Sequence, residues 1–270
     1  MSSSDIAVII PTYMPGSYLY KCLSSLKRQS LQDNRFSIYI GLNGPANPYY
    51  DYILNVIEDL GLKAKLFYIE QPGVSRARNY LIENSVEDFI VFIDDDDLVS
   101  ANYLEALLSV SSKDVIGVSN LLVFEDEIES ASPNYIGRAF LRLNGLEENK
   151  FKARKYFSSP CAKLINRDIV GDFRFDERFS KGEDALFMTQ ISKNVRAIRK
   201  ASGNPVYYVY RRPGSVTQKP TSLAKEVHRV IRLIFVYLIV FFDKEYDQLL
   251  VLGKIFASLR MLKKKLLKVR

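Results

Sequence analysis

The chain is short of the residues that most often mark a site. It has one histidine, two cysteines and no tryptophan in 270 residues. The lone His228 sits in a helical stretch and reads as a structural or surface residue. With no His/Cys cluster a zinc site is not expected, and a Ser-His-Asp triad has little support. Cys22 and Cys161 make no disulfide framework and fit a reduced, cytosolic setting. Long apolar runs are also missing. The longest, LIFVYLIVFF at 233–242, has ten residues, well short of the roughly 20 that cross a bilayer as a helix. The opening MSSSDIAVII has no basic n-region and enters an apolar strand at once, so no signal peptide is expected. There is no internal repeat and no low-complexity linker.

Charge is present but lopsided. The net charge is +7. Residues 254–270, KIFASLRMLKKKLLKVR, hold seven basic residues and no acid. The remaining chain is balanced, so overall basicity is no argument for a nucleic-acid partner, and none is expected.

Apolar runs and helical periodicity alternate along the first hundred residues. IAVIIP (6–11), FSIYIGLN (36–43), AKLFYIE (64–70) and DFIVFI (88–93) read as strands. Helices are expected over 17–30 with Ser17 as a possible N-cap, over 49–61 closed by Gly61, and within 71–85. This alternation predicts a parallel sheet covered by helices. Beyond about 115 the expected elements are one or two strands in 114–129, a strand and short helix at 158–170, a helix at 182–194, a strand and loop at 204–217, and helix from 222 on. No firm element is assigned to 129–160.

In open parallel sheets ligands bind beyond the carboxyl ends of the strands, and the unusual residues fall there. The fourth strand runs into Asp94, Asp95, Asp96 and Asp97. In an extended segment Asp94 and Asp96 point the same way, and paired carboxylates are hard oxygen ligands for Mg²⁺ or Mn²⁺. Taken alone, such a run also reads as a solvated acidic turn. GVSRARN (73–79) has a glycine for close approach, Ser75 as a candidate cap, and Arg76 and Arg78 in the first helical turn. It is either an anion site or a surface ion pair with Glu83 or Glu87. Gly182-Glu183-Asp184 supplies a general base or simply answers the helix dipole. Arg211, Arg212 and Ser215 form a basic loop after a strand.

Together IAVIIPTY (6–13), NG (43–44), GVSRARN, FIDDDDL (92–98), KLINRD (163–168), F-x-x-GED (179–184) and YRRPGSVT (210–217) resemble the family 2 glycosyltransferases, inverting enzymes of the GT-A fold, over about residues 5–217. The resemblance implies an α/β fold with a mostly parallel sheet flanked by helices, a catalytic domain at 1–220 and a C-terminal helical extension at 221–270. It puts Pro11, Thr12 and Tyr13 in a nucleotide-sugar pocket, with Tyr13 against the base. Asn43 stands where the family usually has an Asp that reads the base. Arg78 falls near the nucleotide, Asp96 and Asp94 on a divalent metal, Asp95 at the ribose or the metal's waters, and Arg211, Arg212 and Ser215 by the diphosphate. Asp184, with Glu183 beside it, matches the catalytic base. The implied activity is transfer of a sugar, UDP-linked for preference, to a glycan or lipid-linked acceptor in bacterial-type surface polysaccharide synthesis. The competing readings are a non-catalytic nucleotide-sugar scaffold and a sugar nucleotidyltransferase. The latter would need a Gly-rich basic loop where PTYMPGS stands.

In the tail, Leu252, Ile255, Phe256, Leu259, Leu262, Leu266 and Leu267 recur at helical spacing among lysines. This is either a basic amphipathic helix on an anionic membrane, on the inner face of the cell membrane, or a helix packed on the body with a solvated lysine face.

Overall fold

The computed structural model describes residues 5–212 and 222–268; Ser215 and its loop lie outside the described residues. Seven consecutive buried residues, IAVIIPT, form β1 (Ile6–Thr12). A strand with no polar side needs a neighbour on each edge and cover on each face. After it come α1 (Tyr18–Lys27), β2 (Phe36–Asn43), α2 (Tyr49–Asp59), β3 (Ala64–Ile69), α3 (Val74–Glu83) and β4 (Phe89–Phe92). These strands lie in the order β3-β2-β1-β4 and all run parallel. Ile6 faces both Phe36 and Phe89 across its two edges, so Thr12, Asn43 and the aspartates after Phe92 leave the sheet at the same end. The predicted first half of the fold is present.

Two expected helix caps differ. Ser17 has helical backbone angles and makes no side-chain cap. Ser75 lies inside the first turn of α3, and the capping position belongs to Gly73 at φ +152°, a conformation that favours glycine.

The chain continues through β5 (Leu98–Val99), α4 (Tyr103–Leu108), β6 (Val115–Val118), β7 (Asn120–Phe124), β8 (Ser132–Pro133), α5 (Tyr135–Arg142), β9 (Leu146–Glu147), β10 (Lys163–Asn166), α6 (Arg167–Val170), α7 (Glu183–Ile191), β11 (Ala197–Lys200) and β12 (Val206–Tyr210). The main sheet extends as β4-β10-β6-β11-β9, with β10 antiparallel to both neighbours. A second sheet, β5-β12-β7-β8, sits apart. The single residue Ser119 separates β6 from β7, so one stretch of chain serves both sheets.

The segment left open by sequence, 129–160, holds β8, α5 and β9. Asn134 caps α5 by accepting from the amides of Ile136 and Gly137. Gly137, a poor helix former, is there because α5 packs closely on β7: a Cβ would sit 2.2 Å from the Leu121 carbonyl oxygen.

The chain ends in a helical hairpin, α8 (Leu223–Phe242) and α9 (Gln248–Lys268). Leu233, Tyr237 and Val240 of α8 and Val251 and Ile255 of α9 share a buried cluster with Phe179 and Leu186 of the preceding chain. Lys254, counted above with the basic tail, is buried, and its Nζ donates to the carbonyls of Phe157 (2.5 Å) and Arg154 (3.3 Å).

Gly137→Ala is expected to destabilise the protein by about 1–3 kcal/mol, the usual cost of overpacking, because the neighbour is backbone. A lowered midpoint in chemical denaturation checks this.

Candidate active site

The four aspartates do not continue the strand. Asp95 and Asp96 occupy a turn closed by the Asp97 amide donating to the Asp94 carbonyl. The extended backbone that would align Asp94 and Asp96 is therefore absent. Each aspartate has its own partner. Asp94 accepts from Arg78 Nη2 at 2.8 Å, and Asp95 from the buried hydroxyl of Thr12. Asp96 accepts from Arg212 Nε at 2.7 Å. Asp97 is buried and accepts from the Tyr210 amide at 2.9 Å. That bond and the one from the Asp94 amide to Tyr207 Oη, at 3.1 Å, tie the acidic turn to β12 of the second sheet.

Arg78 is the junction. It is 3% exposed, and its other nitrogen, Nη1, donates to Asp184 Oδ1 at 2.7 Å. Its guanidinium carbon lies 5.1 Å from the centroid of the Phe175 ring. Burial alone would favour discharging it, but Asp184 and Asp94 hold it protonated. One cation thus joins the acidic turn after β4 to the first turn of α7. Arg76, two residues earlier in α3, pairs with Glu177 at 2.7 Å; Glu83 and Glu87, the partners considered from sequence, bond instead to Arg174 and Tyr39.

Burial raises the carboxyl of Asp184, and Arg78 pulls it back. Burial also lifts Glu183, to about 7, with the Asp184 charge adding to the effect; Glu183 Oε2 is buried without a hydrogen-bond partner. At the acidic turn burial pushes Asp95 to about 7 against the Thr12 bond, with Asp96 and Asp94 repelling its charge. Asp96 is raised by burial in spite of Arg212.

The remaining predicted residues separate into a buried and an exposed set. Pro11 is buried within β1 opposite Gly41. Asn43 is buried and bridges two elements: Nδ2 donates to the Thr12 carbonyl at 2.7 Å and Oδ1 accepts from the Gly73 amide at 2.8 Å. Tyr13 is exposed, its ring edge against Gly44, where at φ +100° a Cβ would sit 2.7 Å from Tyr13 Cε2. Arg212 stacks over Tyr18 at 4.7 Å. Arg211 turns elsewhere, to Glu125 at 3.0 Å, so one arginine of the pair reaches the aspartates.

The Glycosyl transferase family 2 model matches residues 7–173, more than half of the chain. The chain belongs to this family. The poly(ribitol-phosphate) beta-N-acetylglucosaminyltransferase TarS of Staphylococcus aureus (strain MW2) is 20% identical over 235 residues, which is 85% of this chain but 40% of TarS. The chain therefore spans less than half the length of that relative. The GalNAc(5)-diNAcBac-PP-undecaprenol beta-1,3-glucosyltransferase of Campylobacter jejuni is 22% identical, over 83% of this chain and 70% of the relative. Among solved structures, S. aureus TarS 1–349 in complex with UDP-GlcNAc superposes with a TM-score of 0.75 at 17% identity, covering 94% of this chain and 72% of that one. The mannosyltransferase of Pyrobaculum calidifontis in complex with GDP-Man and Mn²⁺ gives 0.64 at 14%, covering 96% and 72%. These likenesses establish the GT-A fold.

Several residues around the candidate site have no single-sequence signal. Tyr18 and Tyr207 lie in periodic segments that read as ordinary core. Lys163, the first residue of KLINRD, is buried, donates to the Cys161 carbonyl at 2.8 Å, and is lowered by burial to about 8. Cys161 Sγ in turn lies 3.8 Å from Asp94 Oδ2. The Lys163 bond is local, but the contacts of Tyr207 and Cys161 with Asp94 do not follow from spacing, because they join elements far apart in the chain.

Removing the Arg78 charge as Arg78→Met leaves Asp94 and Asp184 without their shared cation. A destabilisation of about 3–5 kcal/mol is expected, read by urea denaturation. Glu183 is ionised in the unfolded chain above about 4.5 but in the folded protein only above about 7. The stability carried by its protonated form is complete below the lower value and lost as pH rises through the upper one. Glu183→Gln should therefore flatten the fall in melting temperature across that window, and an unchanged slope would contradict the assignment.

Proposed function

We propose that this chain is an inverting glycosyltransferase that moves a sugar from a nucleotide-diphosphate donor, preferentially a UDP-sugar, to a hydroxyl of a glycan or lipid-linked oligosaccharide in bacterial surface-polysaccharide synthesis. The observation that carries this reading is the Arg78 bridge, which holds a raised carboxylate, Asp184, beside an acidic turn at the tip of β4. The UDP-GlcNAc complex of TarS and the undecaprenol-linked acceptor in the Campylobacter relative's name support the donor and acceptor classes.

In this reading Tyr13 stacks on the nucleobase. Thr12 and Asn43 act from below, Thr12 by orienting Asp95 and Asn43 by fixing the strand tip to the loop before α3. Arg212, with Arg211 beside it in sequence, faces the diphosphate. Asp184 Oδ1 is held by Arg78, and its second oxygen takes the proton of the acceptor hydroxyl. That hydroxyl oxygen attacks the anomeric carbon, the bond from this carbon to the diphosphate oxygen breaks, and the nucleoside diphosphate leaves with the electron pair. One in-line displacement inverts the centre, through charge development like that of glycoside hydrolysis, and no enzyme nucleophile is needed.

The acidic turn fits a divalent cation. Three carboxylates are crowded on it, Asp95 and Asp96 are raised by burial with repulsion from neighbouring aspartates adding to it, and two guanidiniums pair with Asp94 and Asp96. Hard oxygen donors in that state suit Mg²⁺ or Mn²⁺. Among the described residues no three acidic, His or Cys side chains form a ready metal cluster, so ligand oxygens would complete the shell. Asp96 and Asp94 are the residues proposed to hold the metal, and Asp95 its waters or the ribose. Bound there, a divalent cation would neutralise charge on the departing diphosphate.

We further assign catalysis to residues 1–220 and place the protein at the cytoplasmic face of the cell membrane, reached through the extension 221–270. No described helix is long and apolar enough to cross a membrane.

The test is a screen of UDP-, GDP- and dTDP-sugars with Mn²⁺ or Mg²⁺, reading both donor binding and slow donor hydrolysis. Asp96→Ala should lose metal-dependent binding. Asp184→Asn should keep it while transfer to an acceptor falls by roughly 10²–10⁴-fold. If no nucleotide sugar binds with or without metal, the reading fails and a non-catalytic scaffold takes its place.

A further inference from the structure

α8 is apolar on two opposite sides. Val230, Leu233, Tyr237 and Val240 face the body and are buried. Ile231, Phe235, Leu238, Ile239 and Phe242, spaced as one helical stripe, are exposed, Phe235 to 64% and Phe242 to 77%. A helix that is hydrophobic all round normally has partners all round, and here the second side has none among the described residues. α9 repeats the pattern. Val251, Lys254 and Ile255 are buried, whereas Leu249, Phe256, Leu259, Leu266 and Leu267 are exposed. The apolar set that the sequence reads as one face is thus divided: Ile255 packs inward, and Phe256, Leu259, Leu266 and Leu267 look outward.

Charge selects the occupant. Residues 222–270 contain eleven basic and four acidic residues, which accounts for the entire +7 of the chain. Of those acids, Glu226 is buried against Arg229. The other three lie at the hairpin turn, where Glu245 pairs with Lys193 and Asp247 accepts the Leu250 amide. The start of α8 and the end of α9 are therefore the basic end. There Lys225, Arg260 and Lys263 are exposed, and Arg178, Phe179, Ile231, Arg232, Phe235 and Val236 line an open groove with an apolar floor and two guanidiniums. A second copy of the chain would bring the same surplus of positive charge against it. An anionic lipid surface offers both hydrocarbon for the stripes and negative charge for the arginines and lysines.

The same end touches the candidate base. Arg229 Nη1 donates to the Lys181 carbonyl at 2.6 Å. At Gly182, immediately before Glu183, a Cβ would lie 3.1 Å from Leu233 Cδ2. α8 is packed on the turn that presents Asp184.

We infer that the α8–α9 hairpin lies flat on an anionic lipid surface, with the outward stripe of α8 seated in the headgroup–acyl boundary and the basic end beside the active site. This deepens the reading above, in which a lipid-linked acceptor is used, but its test needs neither donor nor acceptor. Removing the tail would strip buried Tyr246, Leu250, Val251 and Lys254 from the body, so outward substitutions are the proper probe.

The full chain is sedimented with phosphatidylcholine vesicles, with and without phosphatidylglycerol. Binding should require phosphatidylglycerol and weaken with salt. Phe235→Ser with Ile239→Ser should lower partitioning roughly tenfold or more, as expected for removing two exposed apolar anchors from lipid, with the thermal melt unchanged. Arg260→Glu with Lys263→Glu should abolish the preference for phosphatidylglycerol. Absence of that preference in the unaltered chain, or equal binding by the Phe235/Ile239 variant, overturns the inference. So does a dimer in sedimentation equilibrium that this variant dissolves, which would make the stripe a self-association face. Loss of sugar transfer with vesicle binding intact would instead count against the enzymatic reading alone.

Discussion

A single buried guanidinium organises the site. Arg78 is enclosed by protein, yet it holds two carboxylates from different elements, the turn after β4 and the first turn of α7. Taking an arginine out of water is costly unless its charge is matched and its donors are used. Here the match is Asp94 and Asp184 together, and the planar fork suits two acceptors at fixed angles. Moving either carboxylate therefore unbalances the other. The interaction converts the problem of placing a base relative to an acidic turn into the rigid geometry of one side chain.

The second constraint is the opposite of the first: too much negative charge. Four aspartates in sequence would repel one another in an extended strand, and the fold disperses them. The turn sends Asp94 to Arg78, Asp95 to Thr12, Asp96 to Arg212 and Asp97 to the backbone of Tyr210. Asp97 thereby serves the structure by joining the acidic turn to β12, and the three before it stay at the site. The ion pair of Asp96 is the most readily exchanged of these, because Arg212 is itself partly exposed. In the proposed function Asp96 would be the carboxylate given over to a metal, and Arg212 would then answer the charge of the diphosphate, so no charge would be left unpartnered.

The parts of this protein that sequence revealed are those with local signals. Parallel strands announce themselves as apolar or β-branched and aromatic runs, the buried ones most clearly, so β1 to β4 and the position of the aspartates were legible. Arg78, Asp184 and Asp96 could be singled out as candidates too, through motifs in a fixed order. Their contacts could not be. The Arg78–Asp184 bond spans 106 positions in the chain, and nothing in either motif names the other. The first turn of α3 suggested an anion site lined by two arginines, but only tertiary packing separates Arg76, on Glu177, from Arg78. α5 was missed because Gly137 and its irregular surroundings look like a loop, and the close approach of β7 that requires the glycine is invisible until the second sheet is built.

The tail shows the same limit in a sharper form. Periodicity placed leucines and lysines on a helix but could not say which lysine faces water. Lys254 does not: it is lowered by burial to about 7 and reaches the carbonyls of Arg154 and Phe157. Residues 154–157 lead directly into Cys161 and Lys163, beside Asp94 and under the electrostatic influence of Asp184. A buried lysine in α9 is thus linked, through two carbonyls and a few residues of chain, to the floor of the site, while Arg229 and Leu233 of α8 press on Gly182 from another side. The hairpin is therefore part of the frame that holds the carboxylates, and a surface that engages its outward stripes would press on that frame.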